Sequence, residues 1–411
     1  MRNKKCRFCA QPLRHSFVDL GMSPLSNAYL EKKHLQDMER FYPLHAYVCN
    51  NCFLVQLEEF ESPENIFRDY AYFSSYSDTW LKHAKDYTER MIQRFGLNRA
   101  QLVVELASND GYLLQYFRNK GINVLGVEPA VNAARVAEEK GIPTVTAFFG
   151  VEAARELTVK GKQADLLVGN NVLAHVPDLN DFVEGMSILL KPRGVITMEF
   201  PHLMRLMAGK QFDTIYHEHF SYFSFTTVEK VFDAHGLILF DVEEVLTHGG
   251  SLRIYARHKE DTSRAVTDRV AGLKRKEEAF GMADLKTYQD FAERVKETKR
   301  KILKFFIALK SEGKRIAGYG APAKGNTILN YCGIRTDFLD YTVDLSLHKQ
   351  GHFLPGTHIP IEHPDRIRET KPDYLAILPW NLKDEIMNQM GYIREWGGKF
   401  VILIPEVEVI S

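Results

Sequence analysis

VVELASNDGYLL, residues 103–114, is the stretch on which the reading of the fold turns. The apolar run from Gln101 to Leu106 reads as a strand, and Gly111 to Asn119 reads as the helix that follows its turn. Ile122 to Val127 is a second strand ending in GVEPA, residues 126–130, with a helix through the alanines after Val131. Asp165 to Gly169 and Gly194 to Phe200 read as a third and a fourth strand. Strands alternating with helices at this pace predict a parallel, doubly wound α/β sheet. Such sheets hold ligands in the turns beyond their strand ends.

The first turn carries the chemistry. Glu105 ends the first strand, Ala107 and Ser108 turn the chain, and Gly111 lets backbone approach closely, with Tyr112 beside it. Glu128, followed by Pro129, ends the second strand, where a carboxylate accepts hydrogen bonds from both hydroxyls of a ribose. A dinucleotide would want a glycine-lined turn so that its pyrophosphate meets the helix N-terminus. Asn109 and Asp110 stand there instead, and an acidic turn suits the sulfonium and amino groups of S-adenosylmethionine. Phe148 and Phe149 are candidates to flank an adenine or to fill core. Asn170, Asn171 and His175 follow the third strand, where the methyl-donating end would face substrate. The plainer alternative is an ordinary strand–helix turn with Asp110 as a helix cap.

Four of the five cysteines form two Cys-x-x-Cys pairs, Cys6/Cys9 and Cys49/Cys52. Four thiolates on two tight turns match a closed, structural zinc site; two redox motifs are the alternative. Lys+Arg and Asp+Glu both total 53 in 411 residues. That balance gives no general attraction to nucleic acid or anionic membrane. No apolar run nears the roughly 20 residues that span a bilayer. MRNKKC lacks the apolar stretch of a secretory signal. Reduced thiols, including an unpaired Cys332, suit a cytoplasmic protein.

FDTIYHEHFSYFS, residues 212–224, packs Tyr216, His217, Glu218, His219 and Tyr222 together. Methylating carbon needs a base beside a carbonyl and donors for the enolate oxygen, roles that suit histidine and tyrosine. A metal held by His217 and His219, or a structural polar loop, are the alternatives. Leu237 to Val245 and Ser251 to Arg257 read as an antiparallel edge pair. Asp261 to Lys310 is charged and helix-prone. A second αβ block follows, with strands at Lys314–Gly318, Phe338–Val343, Tyr374–Leu378 and, last, Lys399–Ile404. GKRIAGYGAPAKGNTILNY, residues 313–331, is again strand, glycine-rich turn and helix. Gly320, Lys324 and Asn326, with Asp344 and Lys349 after the next strand, are candidates for a nucleotide diphosphate.

Taken together, the four cysteines, the acidic donor turn and Tyr216-His217-Glu218-His219 with Tyr222 resemble the nucleotide-sugar C-methyltransferases of deoxysugar biosynthesis. The likeness runs along essentially the whole chain. It implies a small zinc-binding module (1–80), a class I Rossmann-like methyltransferase domain (81–262), and a helical linker with a second Rossmann-like domain (263–411). It further implies that His219 is the general base, with Glu218, Tyr216, Tyr222 and His175 around the substrate. A tyrosine of DYAYFSSYSDTW, residues 69–80, also reaches the site in that family; Tyr70, Tyr72 and Tyr76 qualify, and Tyr72 is preferred. The implied reaction is C-methylation, at C3 or C5, of a dTDP-linked 4-keto-deoxysugar by a monomer or weak homo-oligomer. O- or N-methylation of another small metabolite is the alternative.

Overall fold

The computed structural model describes residues 4–62, 74–76 and 78–411. Its N-terminal strands β1 (His15–Ser23), β2 (Tyr42–Val48) and β3 (Val55–Leu57) form an antiparallel ribbon. Next come β4 (Leu102–Leu106), β5 (Asn123–Val127), β6 (Thr144–Val145), β7 (Ala164–Asn170) and β8 (Leu190–Pro201), all parallel. The short β9 (Ser221–Tyr222) returns to the N-terminal ribbon and pairs with β3. β10 (Leu237–Val245) and β11 (Ser251–His258) complete a seven-stranded sheet ordered β10-β11-β8-β7-β4-β5-β6. The expected doubly wound sheet is therefore present. Its order reverses between β4 and β7, which places the ligand crevice at their C-terminal ends.

Several details differ from the reading of the sequence. Positive φ at Asn109 (51°) and Gly111 (75°) keeps the first turn out of helix, so the helix covers only Leu114–Asn119. Of the β10–β11 pair only β10 lies at the edge of the sheet. β11 lies between β8 and β10, and even its Arg253 is buried, paired with Glu199 of β8 at 2.8 Å. The last block forms a six-stranded sheet from β12 (Ile316–Tyr319), β13 (Thr342–Val343), β14 (Ile361–Glu362), β15 (Tyr374–Ile377), β16 (Lys399–Ile402) and β17 (Glu408–Ile410). Of these, β17 follows the strand expected to be last and pairs antiparallel with it. Residues 335–340 form a turn rather than strand, with Leu339 N–H donating to Arg335 O at 2.9 Å.

The charged segment after Asp261 folds as two helices, Asp268–Phe280 and Leu285–Ser311. The second is core, because Tyr288, Phe291, Val295, Ile302, Phe306 and Leu309 recur at helical spacing and are all buried. They share one apolar cluster with Phe17, Leu44 and Val55 of the N-terminal ribbon and with Ile328 and Val401 of the C-terminal block. Phe17 stacks on Phe291 with ring centres 4.7 Å apart. Phe291→Ala should cost about 3–5 kcal/mol of stability, checked as a lower urea midpoint with an unchanged slope.

Candidate active site

The turn after β4 is built around buried carboxylates. Glu105 is 1% exposed, its Oε2 has no hydrogen-bond partner, and burial raises its pKa well above the usual carboxylate range. A dry carboxylate with an open lone pair is costly unless a cation joins it. This donor set fits the positive end of S-adenosylmethionine. Glu128 accepts from Asn109 N–H (2.8 Å) and Ala130 N–H (2.9 Å), so it shapes the turn while each oxygen keeps a second lone pair. Asp110 points elsewhere, taking Lys140 Nζ at 2.9 Å and the Ser75 hydroxyl. The carboxyl groups left at this turn are thus Glu105 and Glu128; burial raises both, and a bound cation would favour their ionised forms. Tyr112 is buried beside Glu105, and Ala107 (φ 53°) and Gly111 turn the backbone. Pro129 leads into the next helix at Val131. Phe148 is exposed, whereas Phe149 is partly buried and packs edge-on against Phe182 at 5.4 Å.

Asn170 ends β7, and Asn171, at φ 55°, donates its amide to His248 Nε2 at 2.9 Å. His248 went unnoticed in the sequence. It sits in the Thr247–Gly249 turn joining β10 to β11, within 5.3 Å of the Trp80 ring. The signal was the Gly249-Gly250 pair, whose positive φ angles (86° and 114°) turn the histidine inward.

The Tyr216–Tyr222 loop faces this crevice. His219 Nδ1 lies 2.9 Å from Thr214 O, and a carbonyl only accepts, so Nδ1 carries the proton and Nε2 keeps its lone pair. The Tyr216 hydroxyl meets that Nε2 at 2.9 Å. The His175 ring stands edge-on to His219 at 4.7 Å and donates from Nδ1 to Glu218 O at 2.8 Å. Burial first, then His175, pushes His219 well below its usual pKa, and burial lowers His175 to about 4. Both imidazoles are therefore neutral. Tyr222 lies 6.1 Å from His219, centre to centre. Glu218 accepts from Asn27 Nδ2 at 3.0 Å, and burial raises it to about 7. Asn27, another residue missed in the sequence, brings the N-terminal module into the site. His217 turns the other way, to Pro43 O at 3.3 Å and the Tyr42 ring, so a His-x-His metal site is absent. Of the tyrosines before Trp80, Tyr70 and Tyr72 lie outside the described residues.

The four cysteines converge as expected. Sγ pairs stand 3.6 Å (Cys6–Cys52), 3.5 Å (Cys9–Cys49) and 3.7 Å (Cys9–Cys52) apart. A tetrahedron with about 2.3 Å metal–sulfur bonds has edges of about 3.8 Å, so the sulfurs fit zinc. Among the described residues this is the one His/Cys/Asp/Glu group that could hold a metal. No described helix is long and apolar enough to cross a membrane.

Three families match along the chain: a zinc binding domain over residues 6–67, a methyltransferase domain over 80–241, and the C-methyltransferase C-terminal domain over 246–405. C-methyltransferase NovU of Streptomyces niveus is 36% identical over 407 residues, 99% of this chain and 97% of its own. The chain belongs to the C-methyltransferase family. Among solved structures, the PH0226 protein of Pyrococcus horikoshii OT3 is 18% identical (TM-score 0.38), covering 49% of this chain and 100% of that one. Magnesium protoporphyrin IX methyltransferase (ChlM) of Synechocystis PCC 6803 is 14% identical (TM-score 0.35), covering 44% and 83%.

In this C-methyltransferase the C-terminal block packs against the loop before His219 and against the N-terminal module. Thr327 Oγ1 donates to Ile215 O at 3.2 Å, and Tyr29 OH donates to Ala321 O at 2.6 Å. The helix Ala323–Cys332 begins after Pro322 with no side-chain cap, and both amide atoms of the fully buried Asn326 lack partners. Asp344 accepts from Ala321 N–H (2.8 Å) and Lys349 donates to Ala321 O (3.0 Å), so these two brace the Gly320 turn instead of reaching outward. Lys324 does not face outward either; it runs inward toward Asp213 and Trp380.

Gln56 Nε2 donates to Cys6 Sγ at 3.2 Å and supports the metal ligand. Gln56→Ala should weaken zinc binding by about 10–100-fold, checked by competition with a chromogenic chelator.

Proposed function

We propose that this S-adenosylmethionine-dependent C-methyltransferase acts on a nucleotide-linked 4-keto-deoxysugar, carried by dTDP, at C3 or C5. The observation that carries the reading is His219: a half-buried, neutral imidazole whose protonated Nδ1 is fixed on Thr214 O while Nε2 keeps its lone pair toward the Tyr216 hydroxyl. That is the form a base needs to take a proton next to a ketone. Tyr216 OH now rests on Nε2 and would pass to the sugar as substrate arrives. His175, Tyr222 and Glu218 would hold the sugar's oxygens. Glu105, Ala107, Asn109, Gly111, Tyr112, Glu128, Pro129, Asn170 and Asn171 would hold the methyl donor, which supplies an electrophilic methyl group. Gly320 and Asn326, in the turn braced by Asp344 and Lys349, would face the diphosphate.

In the proposed step His219 Nε2 takes the proton, and the C–H pair becomes a carbon–carbon double bond as the carbonyl pair moves to oxygen. The enolate carbon then bonds to the methyl carbon while the sulfur–carbon pair stays on sulfur. Bringing both ligands into one dry crevice supplies the alignment.

Mass spectrometry with dTDP-ketosugars should show the gain of one CH₂, and His219→Asn should lower turnover by about 10²–10⁴-fold. Near-normal turnover of that variant would remove His219 as base. Proton exchange at the sugar carbon in deuterated water has a definite pH dependence. Because burial holds His219 well below 6.5, the neutral base persists as pH falls. The fall of about tenfold per unit that protonating His219 brings should therefore begin only below about pH 6.5, and any change nearer pH 7 belongs to Glu218.

A further inference from the structure

Lys324 is the second residue of the helix Ala323–Cys332, where a lysine after a glycine-rich turn would ordinarily meet phosphate. Its side chain does something else. Nζ lies 2.7 Å from Asn381 Oδ1 and 4.6 Å from the centre of the Trp380 ring. Among the described residues Asn381 is its sole hydrogen-bond acceptor, and no carboxylate reaches ion-pair distance. An ammonium has three donors, so two remain for a ligand or solvent. Asp213 is the nearest negative neighbour, yet it is buried, takes Trp380 Nε1–H at 2.7 Å on one oxygen, and has no partner on the other. A half-buried ammonium with no carboxylate at ion-pair distance is open to an anionic oxygen of a ligand.

The direction of that charge follows from its neighbours. The Lys324 ammonium acts on His219 and on His248, helping to keep both imidazoles neutral, though burial is the larger cause for each. Asp213 adjoins Thr214, whose carbonyl holds His219. Trp380 packs on the His248 turn so closely that a Cβ on Gly249 would come within 2.4 Å of its ring. Lys324 therefore belongs to the walls around the base. Removing a proton beside a ketone places the charge on the ketone oxygen, two bonds from the carbon that His219 serves, and a donor there acts most strongly in the transition state.

We propose that Lys324 is a catalytic residue that donates a hydrogen bond to the substrate's ketone oxygen and stabilises the enolate, instead of binding the diphosphate. The inference deepens, and rests on, the ketosugar reading above. In the step it describes, Lys324 stays protonated: His219 receives the carbon's proton, the negative charge forms on oxygen, and the ammonium hydrogen-bonds to it without transferring its own proton.

The test compares wild-type enzyme with Lys324→Met and Lys324→Ala, both loaded with zinc and methyl donor. Both variants should lose deuterium exchange and methyl transfer together, by about 10²–10³-fold. They should bind dTDP itself within about threefold of wild type, and ethylammonium should restore exchange to Lys324→Ala alone. Melting temperature and donor affinity verify folding, and the second variant serves if the first does not fold. Normal exchange in either folded variant would overturn the assignment, as would dTDP affinity falling in step with turnover. Wild-type enzyme that exchanges no proton on any ketosugar would overturn the substrate reading and the assignment with it. The two failures are told apart by whether wild type or only the variants are silent.

Discussion

The pairing of β3 with β9 is the contact on which the site depends. Val55 faces Tyr222 and Gln56 faces Ser221 across two strands far apart in sequence, and Leu57 N–H adds a bond to Phe220 O at 3.0 Å. The loop bearing His219 is thus stitched into a ribbon whose other end is the four-cysteine cluster. Gln56 joins the two, since its side chain supports Cys6 Sγ and accepts from Arg7 N–H. The zinc does no chemistry here, yet the strand it folds sets where the imidazole stands. The same module also delivers Asn27 to Glu218 and Tyr29 to the Ala321 carbonyl.

Electrostatics divide the crevice. On the β4 side, burial raises Glu105 and Glu128 and leaves carboxylates in want of a cation. Lys324, on the C-terminal block, is a cation with Asn381 as its hydrogen-bond acceptor, and burial lowers its pKa. His175, His219 and His248 are all held neutral by burial. Carboxyl groups on one element and an ammonium on another suit two ligands of opposite polarity. A protein selected for stability alone would pair or remove such groups.

Much of this was legible in the sequence because local rules governed it. Apolar runs ending in Glu105 and Glu128 mark buried strands and their ligand ends, and cysteine spacing alone predicts the thiolate cluster. The aromatic, histidine-rich run at 212–224 stood out for its density of polar rings. What stayed hidden was set by tertiary contact. A glycine-rich turn with a lysine reads as a phosphate cradle, and only the packing of Asp213 and Trp380 shows Lys324 turned inward. His248 occupies a hairpin turn that reads as plain connection until β11 is seen inserted between β8 and β10. Helix Leu285–Ser311 reads as an exposed linker because its charges outnumber its apolar stripe, yet that stripe fills the largest core. Phe149 was ambiguous for the reverse reason, since an aromatic after a strand end serves a ligand or the interior equally well.

The β3–β9 stitch also shapes how the chain comes into being. Gln56 leaves the ribosome well before its partner Ser221: 221 − 56 = 165 residues earlier. At ordinary translation speed that is roughly 10–30 s during which the ribbon's outer edge has nothing to pair with. An open edge invites another nascent chain, and brevity is the usual protection. At three residues, Val55–Leu57 is short enough to wait.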